Sequence, residues 1–525
     1  MAPRLILISP DFTRLWCGQA VSSLGDMVFS TTLMLWVATV LAGEETWAPA
    51  AVSGVLVAGG TAVLVVGPIA GVFVDRWDKR RIMLGTEALR GALVALLTAV
   101  AFLPTDALPA GVWLALVYGT VLVLHAAARV FAPARFTIIA DLMKGDADRA
   151  RAAGITQATT QTALILGPPL AAPLFFALGV QWALLFNALS YLVSYLAIRS
   201  VRIPEPTKAP LQKDSSSKAV AVEGAPPAEG GGEQDTPAKS GGSGVLAEFV
   251  AGLRFFGRSK FLVALLVFAV IGQFGAGALN TLNIFFTTQN LNMPAHLFGY
   301  AGMAIGVGGI IGALCAGRVV QWIGARRTTW TGLLVSGALL IAYSRQTSLL
   351  GGLALPVLFT IPITMLNTAM APLLLTAASP AYRGRVVAVF QPMTQVASML
   401  AAALSGWLAG TVLSGFGGSV AGIGFGPIDM ILAVAGLVIL LSGFYARLAL
   451  PETQTAGPAQ EEAGEAGKTT AEGTDAAATA VRPGPGRDRT QAPPLLPCAG
   501  GNRPAAGPTP GPDSRLTRGF PLRTR

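Results

Sequence analysis

The chain has 525 residues, 53% of them hydrophobic and 12% charged, with a mean hydropathy of +0.60. A soluble domain carries about 25% charged residues, so a water-soluble globular fold is excluded. The formal net charge of +10 does not describe a nucleic-acid surface either: the basic residues lie in short loops between apolar runs and in a polar tail, not on one folded face.

A membrane-spanning helix needs about 20 mostly apolar residues. Twelve segments meet that requirement, at 14–41, 49–74, 82–103, 109–132, 152–178 and 181–200, and then at 261–288, 296–322, 328–345, 349–375, 385–412 and 427–449. They predict an all-α membrane protein with 12 transmembrane helices. Met1 to Asp11 is short and runs into the first span without a small-residue cleavage site, so no cleavable signal peptide is expected.

Span 1 carries Asp26 within SSLGDMVF, about 20 Å along the helix by its rise. A carboxylate at that depth costs about 3 kcal/mol on insertion scales and marks a functional position. Asp26 is therefore a candidate for proton coupling or for binding a substrate cation. The alternative is a fixed salt bridge or a helix cap beside a glycine. Gln19 and Met34 share the span. Between spans 2 and 3 runs GPIAGVFVDRWDKRR at 67–81, with Gly71, Asp75, Arg76, Lys79, Arg80 and Arg81. Span 3 follows with Arg90 and, one turn earlier, Glu87, a spacing that suits a local ion pair.

His125 and Arg129 lie one turn apart on span 4 and could share a face. Histidine titrates near neutrality and can relay protons. Arg129 either orients an anionic group or snorkels to the interface. Span 5 carries Gln157, Gln161 and Gly167-Pro168.

Residues 201–244 are polar and rich in Pro, Gly and Ser and predict a flexible linker. The stretch 245–260 places Leu246, Phe249, Val250, Leu253 and Phe256 at helical spacing and predicts an amphipathic surface helix. The second half then offers Phe274, Asn280, Asn283, Asn367, Met370, Gln391 and Gln395. Amides, Met and aromatics suit an amphipathic organic ligand, and interhelical packing is their other use. Residues 451–525 lack periodicity and predict a disordered tail. Its AGEAGKTT at 463–470 lacks the earlier glycine and the preceding strand of a phosphate loop. Cys17, Cys315 and Cys498 have no metal-ligand spacing. No cofactor and no enzymatic activity are expected.

Lys and Arg concentrate in alternate loops, with Arg76, Lys79, Arg80 and Arg81 after span 2, Arg135, Lys144, Arg149 and Arg151 after span 4, Arg326 and Arg327 after span 8, and Arg383 and Arg385 after span 10. This bias places both termini and the linker in the cytoplasm. The 67–81 pattern has a degenerate echo at 312–327, where Gln321 and Trp322 replace Asp75 and Arg76. Arg149-Ala-Arg151 with Gln157 and Gln161 likewise matches Arg383-Gly-Arg385 with Gln391 and Gln395. Two matched patterns in the same order predict two six-helix halves, 1–200 and 261–450, related by a parallel repeat. The charges are expected mainly in the first half and an uncharged cavity wall in the second.

Gly71-Val-Phe-Val-Asp75-Arg76 with Lys79, Arg80 and Arg81 resembles the loop signature of the major facilitator superfamily. Phe131-Ala-Pro133-Ala-Arg135, Arg383-Gly-Arg385-Val386 and Glu248 to Arg254 are similar to its twelve-span drug-exporter branch, which includes macrolide-efflux-like and enterobactin-exporter-like proteins. The resemblance covers residues 10–450 apart from the linker. It implies that Asp75 meets a helix start or an Arg across the half-bundle interface, and that Gly167-Pro168 belongs to the antiporter motif, with Ala171 and Ala172 where glycines are expected. It further implies proton-coupled efflux of an amphipathic drug-like or secondary-metabolite molecule by a monomer in the cell membrane. The alternatives are a carrier for a siderophore, a lysophospholipid or another metabolite, with Arg90 and Arg129 on an anionic headgroup, and a membrane scaffold acting through its linker and tail.

Overall fold

Short interruptions, most of them Gly, Pro or a capping residue, divide an otherwise continuous run of helix. The computed structural model describes residues 7–201 and 259–449, with Arg254 and Gly257 between them, apart from 44, 144, 377–382, 417 and 421–422. All described residues belong to one unit, Met1–Gln454. The linker, nearly all of the amphipathic stretch and the tail lie outside the described residues.

In chain order the helices are α1 (Pro10–Trp36), α2 (Ala48–Arg76), α3 (Lys79–Val100), α4 (Ala110–Leu142), α5 (Asp146–Leu178), α6 (Val180–Ser200), α7 (Lys260–Phe285), α8 (Phe298–Ile323), α9 (Ala325–Ser344), α10 (Leu349–Thr376), α11 (Arg383–Trp407) and α12 (Pro427–Ala449). α1 starts at Ser9, whose hydroxyl accepts from the Phe12 amide, with Pro10 in the first turn. Only Trp77 and Asp78 separate α2 from α3, and the Asp78 carboxylate caps α3 by accepting from the Arg81 amide at 2.7 Å. Gly179 and Gly324, at φ of 100° and 84°, turn the chain from α5 into α6 and from α8 into α9, in a conformation that favours glycine. A π-turn extends α1, α7 and α11, and the hairpin of β1 (Gly418–Val420) and β2 (Ile423–Phe425) precedes α12.

Among the described residues, eleven helical segments are long and apolar enough to cross a membrane. The exception is α9, where Arg326, Arg327 and Thr328, Thr329 and Thr331 lower the hydropathy. It packs as deeply into the bundle as its neighbours. Outward-facing Leu96, Leu192, Leu314 and Leu441 remain exposed, as lipid contact requires.

The packing has a twofold pattern. α1 lies against α5 and α6, α2 against α4, and α3 against α4 and α6; α7 lies in the same way against α11 and α12, α8 against α10, and α9 against α10 and α12. The repeat reaches single hydrogen bonds. Arg80 Nη2 donates to the Arg199 carbonyl at the end of α6 (2.6 Å), and Arg326 Nη2 donates to the Arg447 carbonyl at the end of α12 (3.2 Å). Each guanidinium caps a helix C-terminus, where the dipole favours a cation.

The halves join through α2 with α11 and α5 with α8. A Cβ placed on Gly406 would lie 2.5 Å from the Pro49 carbonyl, and one on Gly302 would lie 2.8 Å from the Pro168 ring. These contacts lie at the end of the bundle where α1 finishes. They reach the middle at Gly60 beside Gln395 and at Gly309 beside Gln161. Toward the end where α1 begins, Gly67, Gly154 and Gly317 meet nothing within 4 Å. Among the described residues the close glycine contacts between the halves therefore lie toward the end where α1 finishes, and the opposite end, where these three glycines stand in open space, is termed the open end.

Gly337 of α9 tests the close packing. A Cβ there would sit 2.5 Å from the Leu440 amide and 2.7 Å from the Gly436 carbonyl on α12. Gly337→Leu is expected to destabilise the detergent-solubilised protein by about 1–3 kcal/mol. Gly85→Ala, in open space on α3, is expected to leave the thermal midpoint unchanged or slightly raised. Dye-monitored melting distinguishes the two.

Candidate functional site

Four helices of the first half turn polar residues toward one another. On α1 the pairs Gly18-Gln19 and Gly25-Asp26 recur after seven residues, two helical turns on one face. The glycines let α1 lie directly on α6: a Cβ on Gly18 would lie 3.2 Å from Ser194 Cα, and one on Gly25 would lie 2.6 Å from Asn187 Oδ1. That approach brings Gln19 and Asp26 against Ser194 and Tyr191. α3 supplies Glu87 and Arg90, also one turn apart, and α4 supplies Arg135.

The Asp26 carboxylate accepts from Arg90 Nη2 at 2.9 and 3.1 Å and from the Tyr191 hydroxyl at 2.5 Å. The Arg90 guanidinium stacks over the Tyr191 ring, 4.4 Å from its centroid. Below this layer, toward the open end, Ser194 donates to Glu87 Oε1 at 3.0 Å, and the Gln19 amide donates to Ser194 Oγ at 2.7 Å and to Glu87 Oε1 at 3.5 Å. Arg135 Nη1 closes the network on Gln19 Oε1 at 3.3 Å. Arg90 and Glu87 side chains are 8% and 0% exposed, whereas Asp26 is 31% exposed.

The structure extends one expectation and changes another. The local Arg90–Glu87 ion pair is present at 3.9 Å, and Arg90 has a closer partner in Asp26 at 2.9 Å. The i,i+3 spacing on α3 pointed to Glu87, and the nearer partner arrives from another helix. Arg135 is not a loop cation: α4 continues through Pro133 to Leu142, and Arg135 lies well inside it. A span bounded at 132 had stopped at the proline, which a long helix in a bundle accommodates. Asn187, Ser190, Tyr191 and Ser194 were not singled out. Their spacing along α6 is a polar stripe on an otherwise apolar segment, and that stripe was the available signal.

The other candidates lie outside these hydrogen bonds. His125 Nδ1 pairs with the Val121 carbonyl at 2.9 Å, its ring lies against Gly59 of α2, and it stands within electrostatic reach of Asp26, Arg90 and Arg129. Arg129 is exposed. Gly167 packs on Met27 of α1, and the Pro168 carbonyl and ring meet Gly299 and Gly302 of α8, so this Gly-Pro pair sits where the halves join. α2 contains Gly71, Asp75 and Arg76 in its last turns; their side chains lie outside the described set.

The second half holds a cavity of about 480 Å³ between α7, α8, α10 and α11. Asn280, Asn367, Met370 and Gln391 line it, together with Gln273, Thr360 and Thr394 and with Phe268, Phe359 and Phe390. Among the described residues, no charged side chain lines it. Asn283 is buried outside it, accepting from the Tyr343 hydroxyl at 2.8 Å. Met34 and Phe274 are half-buried outside it, Gln157 is exposed, and Gln161 and Gln395 flank the junction of the halves. Gly275 occupies on α12 the place that Gly25 has on α6, packed against Ile439, and the residue after it is Ala276, at the cavity, where the first half has Asp26.

The Arg90–Asp26 pair is expected to be coupled in stability. Arg90→Ala leaves the Asp26 carboxylate without its guanidinium and should cost roughly 3 kcal/mol, the low end for a broken buried pair because Asp26 is partly exposed. Arg90→Ala with Asp26→Ala should cost less than the sum of the single changes. A double-mutant cycle read by thermal melting checks this.

Comparison with known proteins agrees with this architecture. The family model described as the Major Facilitator Superfamily matches residues 15–402 and 269–495. Macrolide efflux protein A of Streptococcus pyogenes is 26% identical over 194 residues, 37% of this chain and 45% of that protein. A Bacillus amyloliquefaciens protein named as a bacilysin exporter, BacE, is 31% identical over 198 residues, again 37% and 45%. The chain therefore spans less than half the length of these relatives. A bacterial homologue of the iron transporter ferroportin superimposes with a TM-score of 0.60 at 14% identity, covering 84% of this chain and 98% of that one. The nucleoside transporter NupG does so with a TM-score of 0.59 at 13% identity, covering 85% and 100%. With twelve long helices among the described residues, in two pseudo-symmetric bundles, and a family match across both, the chain belongs to the Major Facilitator Superfamily of transporters.

Proposed function

We propose that the chain is a secondary transporter that exports an amphipathic organic molecule in exchange for protons by alternating access. The observation that carries this reading is the division of labour between the halves. Carboxylates and their guanidinium partner form one buried network in the first half, and an uncharged, aromatic and amide-lined cavity lies in the second. Adaptable apolar surface with a few amides binds an organic molecule without demanding a fixed charge. Ionisable groups at membrane depth are suited to carrying a proton.

The open end carries Arg80, Arg81, Arg149, Arg151, Arg326 and Arg327 at the starts of α3, α5 and α9. By the positive-inside rule this end and both termini face the cytoplasm, in the cell membrane. Rocking of the halves about the cavity would open the other end. By the family resemblance, Asp75 of the 67–81 segment would meet a helix start or an Arg across the interface and latch the cytoplasmic end once it closes. The relatives named for macrolide efflux and bacilysin export support an antibiotic-like cargo. A carrier for an anionic headgroup would need free cations, and Arg90 is already engaged by Asp26 and Tyr191, which leaves Arg129 alone.

Inside-out vesicles with an acidic interior provide the test, with radiolabelled erythromycin and ethidium as probes. Uphill accumulation that collapses on addition of a protonophore is expected for the wild type, and its loss in Asp26→Asn. Accumulation indifferent to the pH gradient would overturn proton coupling. Phe390→Ala, which enlarges the cavity wall, is expected to raise the apparent KM for erythromycin more than it lowers the maximal rate.

A further inference from the structure

Glu87 is a second carboxylate beside Arg90. It is buried, 1% exposed, and its Oε2 has no hydrogen-bond partner among the described residues. Only Oε1 is satisfied, by Ser194 and Gln19. An ionised carboxylate in that position would leave one oxygen buried and bare, which is costly when the charge is not matched at close range. The charged and titratable groups around it are Asp26 of α1, Arg90 of its own helix, Tyr191 of α6 and Arg135 of α4. Arg90 spends both close hydrogen bonds on Asp26 and stands 3.9 Å from Glu87. Arg135 reaches Glu87 only through the Gln19 amide. One guanidinium therefore serves two carboxylates and closely neutralises one of them.

The two carboxylates also differ in access. Asp26 is partly exposed near the middle of α1. Glu87 lies nearer the open end, behind Gln19. A pocket of about 20 Å³, the size of one water molecule, touches Gln19 and Arg135 and is lined with Ser23, Thr156, Thr159 and Thr160 between α1, α4 and α5.

We propose that Glu87 holds a proton in this state and that Arg90 is shared between Glu87 and Asp26, so that a proton bound at Asp26 releases the one on Glu87 toward the open end. When Asp26 takes up a proton, it loses its charge and its hold on the guanidinium. Arg90 then turns to Glu87, whose O–H bond breaks with the electron pair staying on the carboxylate. The proton leaves past Gln19 toward the open end, by way of the water-sized pocket where Gln19, Arg135, Ser23 and three threonines meet the apolar Phe12, Leu15, Trp16 and Ile139. One proton enters and one leaves, and the network keeps its net charge. This deepens the proton-coupled reading and rests on it, while the protonation of Glu87 is open to an independent measurement.

The test is infrared difference spectroscopy of the full chain in lipid, following the carboxylic-acid C=O stretch through a pH titration. A protonated-carboxyl band is expected in the wild type, absent in Glu87→Gln and retained in Asp26→Asn. In Ser194→Ala the band is expected to shift, because the Ser194 hydroxyl bonds the Glu87 carboxyl; this arm decides the matter if Glu87→Gln does not fold. In vesicles, Glu87→Gln is expected to equilibrate erythromycin downhill while losing accumulation driven by the pH gradient. A band that survives Glu87→Gln, a wild type without any such band, or an unshifted band in Ser194→Ala would overturn the proposal. Loss of pH-driven accumulation in the wild type with the infrared pattern intact would instead overturn the exchange mechanism and leave Glu87 as a protonated residue.

Discussion

A guanidinium held within the hydrocarbon thickness has to be neutralised and hydrogen-bonded by its own protein, because lipid offers neither. Arg90 meets that demand with Asp26 on α1 and Tyr191 on α6, and the geometry requires three helices to approach within side-chain reach of one point. Gly18 and Gly25 make the approach physical. A side chain at either position would collide with α6, so their absence of one sets the α1–α6 distance and, through it, the position of Asp26. Much of the polar chemistry of the first half follows from that contact, since Gln19, Ser194 and Glu87 form the next layer of the same helix faces.

The second half uses the same scaffold without this demand. Gly275 packs on α12 as Gly25 packs on α6, and Arg326 caps α12 as Arg80 caps α6. The contents differ: Ala276 follows the glycine, and the nearby wall is Phe268, Phe359, Phe390 and amides. Among the described residues this uncharged wall encloses a cavity of about 480 Å³. Duplication supplied two equal frames, and the side chains divide ionic from apolar work between them.

Small residues also govern how the halves meet. Pro168 against Gly299 and Gly302, and Gly406 against Pro49 and Ser53, give nearly backbone-on-backbone contact at one end. Such contact depends on small residues, which let the backbones approach closely. Gly167-Pro168 therefore has a packing role that can be read from its neighbours, alongside the role its family resemblance implies.

Apolar length and loop charge in the sequence defined the twelve spans, the two six-helix halves and the concentration of charge in the first half, because the bilayer imposes its thickness and its cost for charge on every segment alike. Asp26 and Arg90 were visible for the same reason: each is an isolated ionisable group in an apolar run. Their pairing was not visible, since residues 64 positions apart have no periodicity in common. Arg135 was hidden by Pro133, which resembles a helix end, and Tyr191 and Ser194 were hidden because single hydroxyls in a span are ordinary. Only the tertiary structure placed Arg90 between Asp26 and Glu87, left one Glu87 oxygen without a partner among the described residues and formed an uncharged, amide-lined cavity in the second half. Those outcomes depend on how closely helices approach, and that distance is decided by which glycine faces which neighbour after folding.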